Sequence, residues 1–236
     1  MKGSDKRILP GRMETFTFAN WKLLVMEIAS LRQDYQKFML LEKDLPKSPF
    51  EQFEKWFEQA HSEEELEANA MVLSTISSEG WPHGRIVLLK GLDHGLVFFT
   101  NYDSEKGKDL EHSAKASLTF WWPKAQRQVR VSGIVEKTSR EESDSYFQSR
   151  PKASQAGAIA SAQSQHIPDR TTLDKVFEKL LQTPESELLI RPENWGGYRL
   201  IPSYFEFWQG RSNRMHDRLF YKLEENEGWN IGRLSP

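Results

Sequence analysis

Apolar positions in the first part of the chain recur at helical spacing. Trp21, Leu24, Val25, Ile28, Leu31, Tyr35 and Phe38 predict an amphipathic helix over residues 20–40. After the loop Asp44-Leu45-Pro46-Lys47, Ser48-Pro49-Phe50-Glu51 joins a capping-box pattern to a proline at the first helical position. Phe50, Phe53, Trp56 and Phe57 give this second helix an apolar face, and the acidic run from Ser62 to Glu67 reads as its solvated end or a loop. The texture changes at Ala70. Ala70–Ser77, Arg85–Lys90, Leu96–Asn101, Ala116–Trp122 and Gln128–Glu136 are β-rich runs separated by turn signals. Ser139-Arg140-Glu141-Glu142 opens a helix that Pro151 ends, and Leu173, Val176, Phe177, Leu180 and Leu181 mark another. Strands return at Gly197–Ile201, Tyr204–Gln209, Leu219–Leu223 and Trp229–Leu234. Short strands joined mostly by tight turns predict a mainly β fold, an antiparallel barrel with peripheral helices, closed by pairing early strands with late ones. Residues 1–19 read as a flexible N-terminal arm and 20–236 as a single domain.

Composition narrows the chemistry. A chain of 236 residues can bury a substantial core. Its formal net charge of -2 points to neither nucleic acid nor an anionic membrane, so an anionic ligand must be held by local clusters of Lys and Arg. The absence of cysteine excludes disulfides, thiolate metal sites and cysteine nucleophiles and suits a reducing compartment. No apolar run approaches a membrane span of about 20 residues, and Met1 to Thr17 lacks the apolar segment of a secretory signal. The expectation is a cytoplasmic protein. The histidines at 61, 83, 94, 112 and 166 lack ligand spacing and read as surface or turn residues, so no metal site is expected. Trp21, Trp56, Trp121, Trp122 and Trp229 are assigned to core or interface.

Four segments carry candidate chemistry. Phe207 to Arg218 places rings, three arginines and His216 in one short run, offering a flat surface for an aromatic ligand and forked donors for an anion. In Arg85-Ile86-Val87-Leu88-Leu89-Lys90 strand alternation would send Arg85 and Lys90 to opposite faces, so that one strand could serve two anions. Ser104-Glu105-Lys106-Gly107-Lys108 starts a helix after a strand, where backbone N–H groups and a lysine can cradle phosphate. Tyr146, Arg150 and Ser154 follow at intervals of four, a trio suited to a phosphate monoester although Pro151 interrupts the helix.

Together these segments, with Phe99-Thr100, Arg127-Gln128, Gln163-Ser164 and Trp195-Gly196-Gly197, resemble the pyridoxine/pyridoxamine 5'-phosphate oxidase family over about residues 20–236. The resemblance implies an FMN-binding split β-barrel, Greek-key-like, that forms a homodimer with the flavin between subunits. It implies a pyridoxal 5'-phosphate synthase: pyridoxamine or pyridoxine 5'-phosphate is oxidised at the 4'-carbon with O2 as acceptor and H2O2 as product. Carried over by motif, Arg85 and Lys106 would bind the FMN phosphate. Ile86, Val87, Leu88, Leu89, Lys90, Phe99, Thr100, Gln128, Gln163, Ser164, Trp208 and Arg218 would complete the flavin site. Lys90, Tyr146, Arg150 and Ser154 would hold the substrate phosphate, Arg214 and His216 would lie over the substrate ring as catalytic residues, and Arg32 and Tyr35 would belong to a segment closing over it. No metal, membrane or nucleic acid is implied.

One residue departs from the pattern. Where the family usually has a basic residue before its phosphate lysine, this chain has Glu105, which is expected to turn outward and leave the charge to Lys106 and Lys108. Two alternatives stay open: a split-barrel flavin oxidase acting on another aromatic anion, as in phenazine pathways, and a non-catalytic carrier of flavin or pyridoxal phosphate.

Overall fold

The computed structural model describes residues 28, 30, 31, 33–63, 67–184, 186–225 and 228–236. The chain divides into Met1–Asp34 and Tyr35–Pro236. The second unit carries the sheet and all the helices considered below. The N-terminal arm and most of the expected 20–40 helix lie outside the described residues. Residues 33–41 carry no helix, so the apolar spacing there does not translate into helical turns. Leu40 is instead buried in the core, and Tyr35 packs its ring against Trp208.

Among the described residues, nine antiparallel strands form one curled sheet: β1 Ala70–Ile76, β2 Pro82–Leu88, β3 Gly91–Leu92, β4 Leu96–Asn101, β5 Lys115–Trp122, β6 Arg127–Lys137, β7 Trp195–Gln209, β8 Asp217–Leu223 and β9 Trp229–Leu234. The order β2-β1-β5-β6-β7-β4-β3, with β8 and β9 continuing from β7, joins the early strand β4 to the late strand β7 as expected of a closing barrel. The sequence splits β7 in two at Pro202, but the strand runs unbroken. Pro202 faces Gly133 where the β6–β7 register shifts, a bulge that spares a proline its missing donor. A Cβ on Gly133 would lie 2.0 Å from the Ile201 carbonyl oxygen, so the close approach requires glycine.

Five α-helices surround the sheet among the described residues: α1 Pro49–Ser62, α2 Glu105–His112, α3 Arg140–Ser149, α4 Lys152–Ala160 and α5 Arg170–Leu181. Ser48, Ser104, Ser139 and Asp169 cap four of them by accepting hydrogen bonds from first-turn N–H groups. Helix α1 buries Phe53 and Trp56 against the inner face of the sheet, where Phe120, Trp122 and Phe207 meet them in ring contacts. Trp56 and Trp122 are buried, Trp229 packs against the core from its edge, and Trp121 is half exposed.

The last strands are clasped to the segment before α1. Asp217 accepts hydrogen bonds from the Leu40 backbone N–H and from Arg211 and Arg233, and Arg233 also grips Glu42. Burial pushes the Asp217 carboxyl up, but these three donors together hold it below the usual carboxylate range. A carboxylate depressed in the folded state adds stability above its unfolded value of about 3.9, and that stability is lost as pH falls through the folded value. Asp217→Asn should therefore cost about 1–3 kcal/mol at pH 7. It should also flatten the loss of stability below pH 4, as read from urea midpoints across pH.

Candidate functional site

A cavity of about 780 Å³ opens where β2, β4 and α2 approach α3 and α4, a volume within the usual range for small-molecule sites. Thirteen residues given ligand roles from the sequence line it: Arg85, Ile86, Val87, Leu88, Lys90, Phe99, Thr100, Lys106, Tyr146, Arg150, Ser154, Gln163 and Ser164. Arg85 and Lys90 reach the same cavity rather than opposite faces. Strand β2 ends at Leu88, and beyond it Leu89 donates its N–H to Asn69 and Lys90 to Val97, so alternation does not extend to Lys90. Leu89 itself is buried in the core.

The cavity's cations are held in two ways. Arg85 is fixed from behind: its Nη1 donates to Thr75 Oγ1 at 2.6 Å, and its Nη2 lies 3.5 Å from Asp109 Oδ2. Thr75 Oγ1 donates in turn to the same Asp109 oxygen, and His83 Nδ1 meets it at 2.9 Å. Burial alone would raise the Asp109 carboxyl, yet the hydrogen bonds from Thr75 and His83, with the charges of His83 and Arg85, hold it low. His83 is thus part of the support of Arg85 rather than a surface or turn residue. Its place two positions before Arg85, on the same strand face, is the signal that could have revealed it. Asp109, four positions after Glu105, shares a helix face with it in the same way.

Lys106 is buried beside the α2 N-terminus. Its Nζ donates to Ser104 Oγ and to Gln163 Oε1, and Thr100 Oγ1 donates to the same amide oxygen. Burial, reinforced by the charge of Arg85, lowers the Lys106 pKa. Glu105 does not turn away. It lines the cavity with its carboxylate 3.7 Å from Arg85, because a first-turn acid is drawn both to the helix N-terminus and to the nearest guanidinium. Lys108 is exposed and does not reach the cavity.

Across the cavity, Tyr146 belongs to α3, Ser154 to α4, and Arg150 to the junction before Pro151. The helix break does not separate them, since α4 restarts at once and all three side chains face the same space. Burial raises the Tyr146 phenol, leaving it a neutral donor, while burial lowers the Arg150 guanidinium. Arg150 Nη1 is shielded from solvent and meets no acceptor among the described residues. Four cations, Arg85, Lys90, Lys106 and Arg150, thus face one carboxylate, Glu105, around one cavity. A cation cluster only partly compensated, with a buried unpaired N–H, fits an anion such as phosphate.

A second constellation lies elsewhere. Trp208 in β7 pairs in register with Gln128 on one side and Arg218 on the other. Its indole contacts His216 at 4.6 Å, Tyr35 at 5.8 Å and Trp121 at 6.0 Å between ring centroids. Arg218 donates to Glu206, which is almost fully buried. His216 Nδ1 accepts the Arg211 N–H, so its neutral ring carries hydrogen on Nε2; burial, and then Arg214, lower its pKa. Asn213 and Arg214 hold positive φ angles of 54° and 61° in the exposed turn before β8. Two successive non-glycine residues in the left-handed region mark a strained turn of the kind that presents functional side chains. None of Tyr35, Gln128, Trp208, Arg214, His216 and Arg218 lines the 780 Å³ cavity, and Arg32 lies outside the described residues. Trp195 and Trp208 stand at the two ends of the 15-residue β7, up to about 40 Å apart along an extended strand.

Comparison with known proteins gives a consistent picture. Residues 57–183 match the model of the pyridoxamine 5'-phosphate oxidase family, and residues 195–236 match that of the pyridoxine 5'-phosphate oxidase C-terminal dimerisation region. A pyridoxine/pyridoxamine 5'-phosphate oxidase of Bordetella pertussis is 50% identical over 212 residues, covering 89% of this chain and 100% of its own length. That of Chromohalobacter salexigens is 49% identical over 212 residues, covering 89% and 99%. Among solved structures, PhzG from Burkholderia lata in complex with tetrahydrophenazine-1-carboxylic acid is 30% identical, with a TM-score of 0.81 over 85% of this chain and 99% of that one. A pyridoxamine 5'-phosphate oxidase-related, FMN-binding protein from Nostoc punctiforme shares the fold at 15% identity and a TM-score of 0.66, covering 81% and 100%.

Proposed function

The chain belongs to the pyridoxamine 5'-phosphate oxidase family, and from that premise we propose that it oxidises pyridoxamine 5'-phosphate and pyridoxine 5'-phosphate to pyridoxal 5'-phosphate with FMN and O2. The observation that carries the reading is the convergence of two cation groups on one cavity, Arg85 with Lys106 and Lys90 with Arg150, beside the Tyr146 and Ser154 hydroxyls. Two groups suit two phosphates, one of the flavin and one of the substrate. Bound FMN would accept a hydride equivalent from the 4'-carbon and pass both electrons to O2 as H2O2; the alcohol then gives the aldehyde directly, and the amine gives it after water releases ammonia.

In this reading Arg85 and Lys106 hold the FMN phosphate, and Lys90, Tyr146, Arg150 and Ser154 hold that of the substrate. Ile86 to Leu88, Phe99, Thr100, Gln163 and Ser164 flank the flavin. Trp208, Gln128 and Arg218 complete its site from a second copy of the chain, whose Arg214 and His216 lie over the substrate ring. The separation of the two constellations along β7 and the match of residues 195–236 to a dimerisation region support such a shared site. The neutral His216 presents Nε2–H to the substrate, and the fixed charge of Arg214 orients it. Enclosure between two protomers would exclude water and strengthen these charge interactions. A cytoplasmic location remains part of the proposal.

The likeness to PhzG raises a second reading, an oxidase of another aromatic anion. The Tyr146, Arg150 and Ser154 cluster favours a phosphorylated substrate. Purification tests both: a yellow flavin spectrum with aerobic formation of pyridoxal phosphate and peroxide from pyridoxamine phosphate is expected. Flavin without aldehyde would overturn the proposal. Glu105 tunes the site, since its carboxylate competes with phosphate for Arg85. Glu105→Arg should tighten FMN binding by up to about 1 kcal/mol, roughly fivefold, in a flavin fluorescence titration. Unchanged or weaker binding would refute that competition.

A further inference from the structure

We infer that Trp195, to which the sequence motifs assign no ligand role, is a positioning residue for phosphate recognition through Arg150. The inference rests on the function proposed above. The Arg150 guanidinium carbon lies 4.7 Å from the centre of the Trp195 ring and 5.9 Å from that of Phe147. The indole is itself immobilised. Trp195 is 6% exposed, its backbone N–H donates to the Pro192 carbonyl, its backbone carbonyl accepts from Arg191, and Phe147 abuts the ring edge-on at 5.3 Å.

The choice of an aromatic partner has a chemical consequence. Arg199 and Arg218 are held by carboxylates, Asp93 with Glu142 and Glu206 respectively, so their charge is largely neutralised. Arg127 also lies over rings, those of Phe38 and Trp56, but it donates to Gln209 and Gln59. Arg150 differs from all three. A ring face attracts the guanidinium through its quadrupole while leaving the positive charge and the in-plane N–H donors for another acceptor. The shielded Arg150 Nη1 is such a donor.

The same indole also aligns the phenol of the cluster. The rings of Trp195, Phe99 and Tyr146 are stacked with nearly parallel planes, Phe99 lying 3.9 Å from Tyr146 and 5.6 Å from Trp195, with 6° between the Tyr146 and Trp195 planes. One ring anchored at the start of β7 therefore fixes two of the groups that would meet the substrate phosphate.

The test is steady-state kinetics on the FMN-loaded enzyme with pyridoxamine 5'-phosphate, and with inorganic phosphate as a competitive inhibitor. Trp195→Leu should raise both KM and the phosphate Ki by about 3- to 30-fold, with kcat within about twofold. Trp195→Phe, which keeps a ring but a weaker quadrupole, should raise them less; it also decides the matter if the leucine variant does not fold. Because most of the effect acts through Arg150, the double variant R150A/W195L should lose clearly less than the sum of the two single losses. Unchanged KM and Ki in both Trp195 variants, or full additivity with R150A, would overturn the inference while leaving the proposed function standing. If R150A alone leaves KM and Ki unchanged, the assignment of the substrate phosphate fails and the role of Trp195 falls with it.

Discussion

Replacing Arg214 by alanine should lower kcat by about 10²–10³-fold, the usual loss when a charged group aimed at the reacting atoms is removed. The variant should keep its FMN. Arg214 is exposed in the turn before β8, at a positive φ, and lies outside the cavity that holds Arg85 and Lys106. Its loss removes no contact within the core. Flavin absorbance of the purified variant and stopped-flow reduction by pyridoxamine phosphate would separate the two effects. Near-normal reduction would contradict its proposed place over the substrate. Turnover should also decline as pH falls into the range where His216 gains a proton, because the imidazolium can no longer accept the Arg211 N–H at Nδ1.

The opposite behaviour is expected of Phe53→Ala. Phe53 is fully buried on α1, with ring neighbours Phe120 at 5.0 Å, Phe57 at 5.9 Å and Trp122 at 6.1 Å. Truncation should cost about 3–5 kcal/mol and lower Tm by roughly 6–20 °C for a chain of this size, as followed by near-ultraviolet circular dichroism. The folded fraction should retain the wild-type KM, since Phe53 does not line the cavity of Arg85 and Lys106. Added FMN should recover part of the lost Tm, because a ligand bound only by the folded state stabilises it by mass action. A variant as stable as the wild type would show that α1 contributes little to the core.

Much of this architecture can be read from local chemistry. Ser48 before Pro49, Ser104 before Glu105 and Ser139 before Arg140 mark three helix starts, because a hydroxyl cap satisfies N–H groups that nothing else can. Strands β4 and β9 fall at their expected limits, since turn residues bound them on at least one side. The failures have equally physical causes. Periodicity predicted a helix through residues 33–40, but Leu40 and Tyr35 are claimed by the core and by Trp208, and tertiary contacts override spacing. Pro202 suggested a break in β7 because the glycine that accommodates it, Gly133, is 69 positions earlier.

The cavity was legible where motifs are contiguous and illegible where its support comes from distant segments. RIVLLK displays Arg85, but nothing in that run shows that Thr75, His83 and Asp109 fix its guanidinium. Repulsion from a phosphate argues for an outward Glu105. In the folded chain its attraction to Arg85 keeps it at the cavity edge.

The length of β7 has a genetic corollary. The strand begins at the anion cavity and ends among the residues proposed to serve another copy, so a defect at either end spoils a different half of each shared site. Two inactive alleles, one altered at Arg150 and the other at Arg214, would assemble mixed dimers with one doubly defective site and one site built entirely from sound halves. Two alleles damaged at the same end could not rescue each other. Intragenic complementation would then depend on which end of this strand carries each lesion.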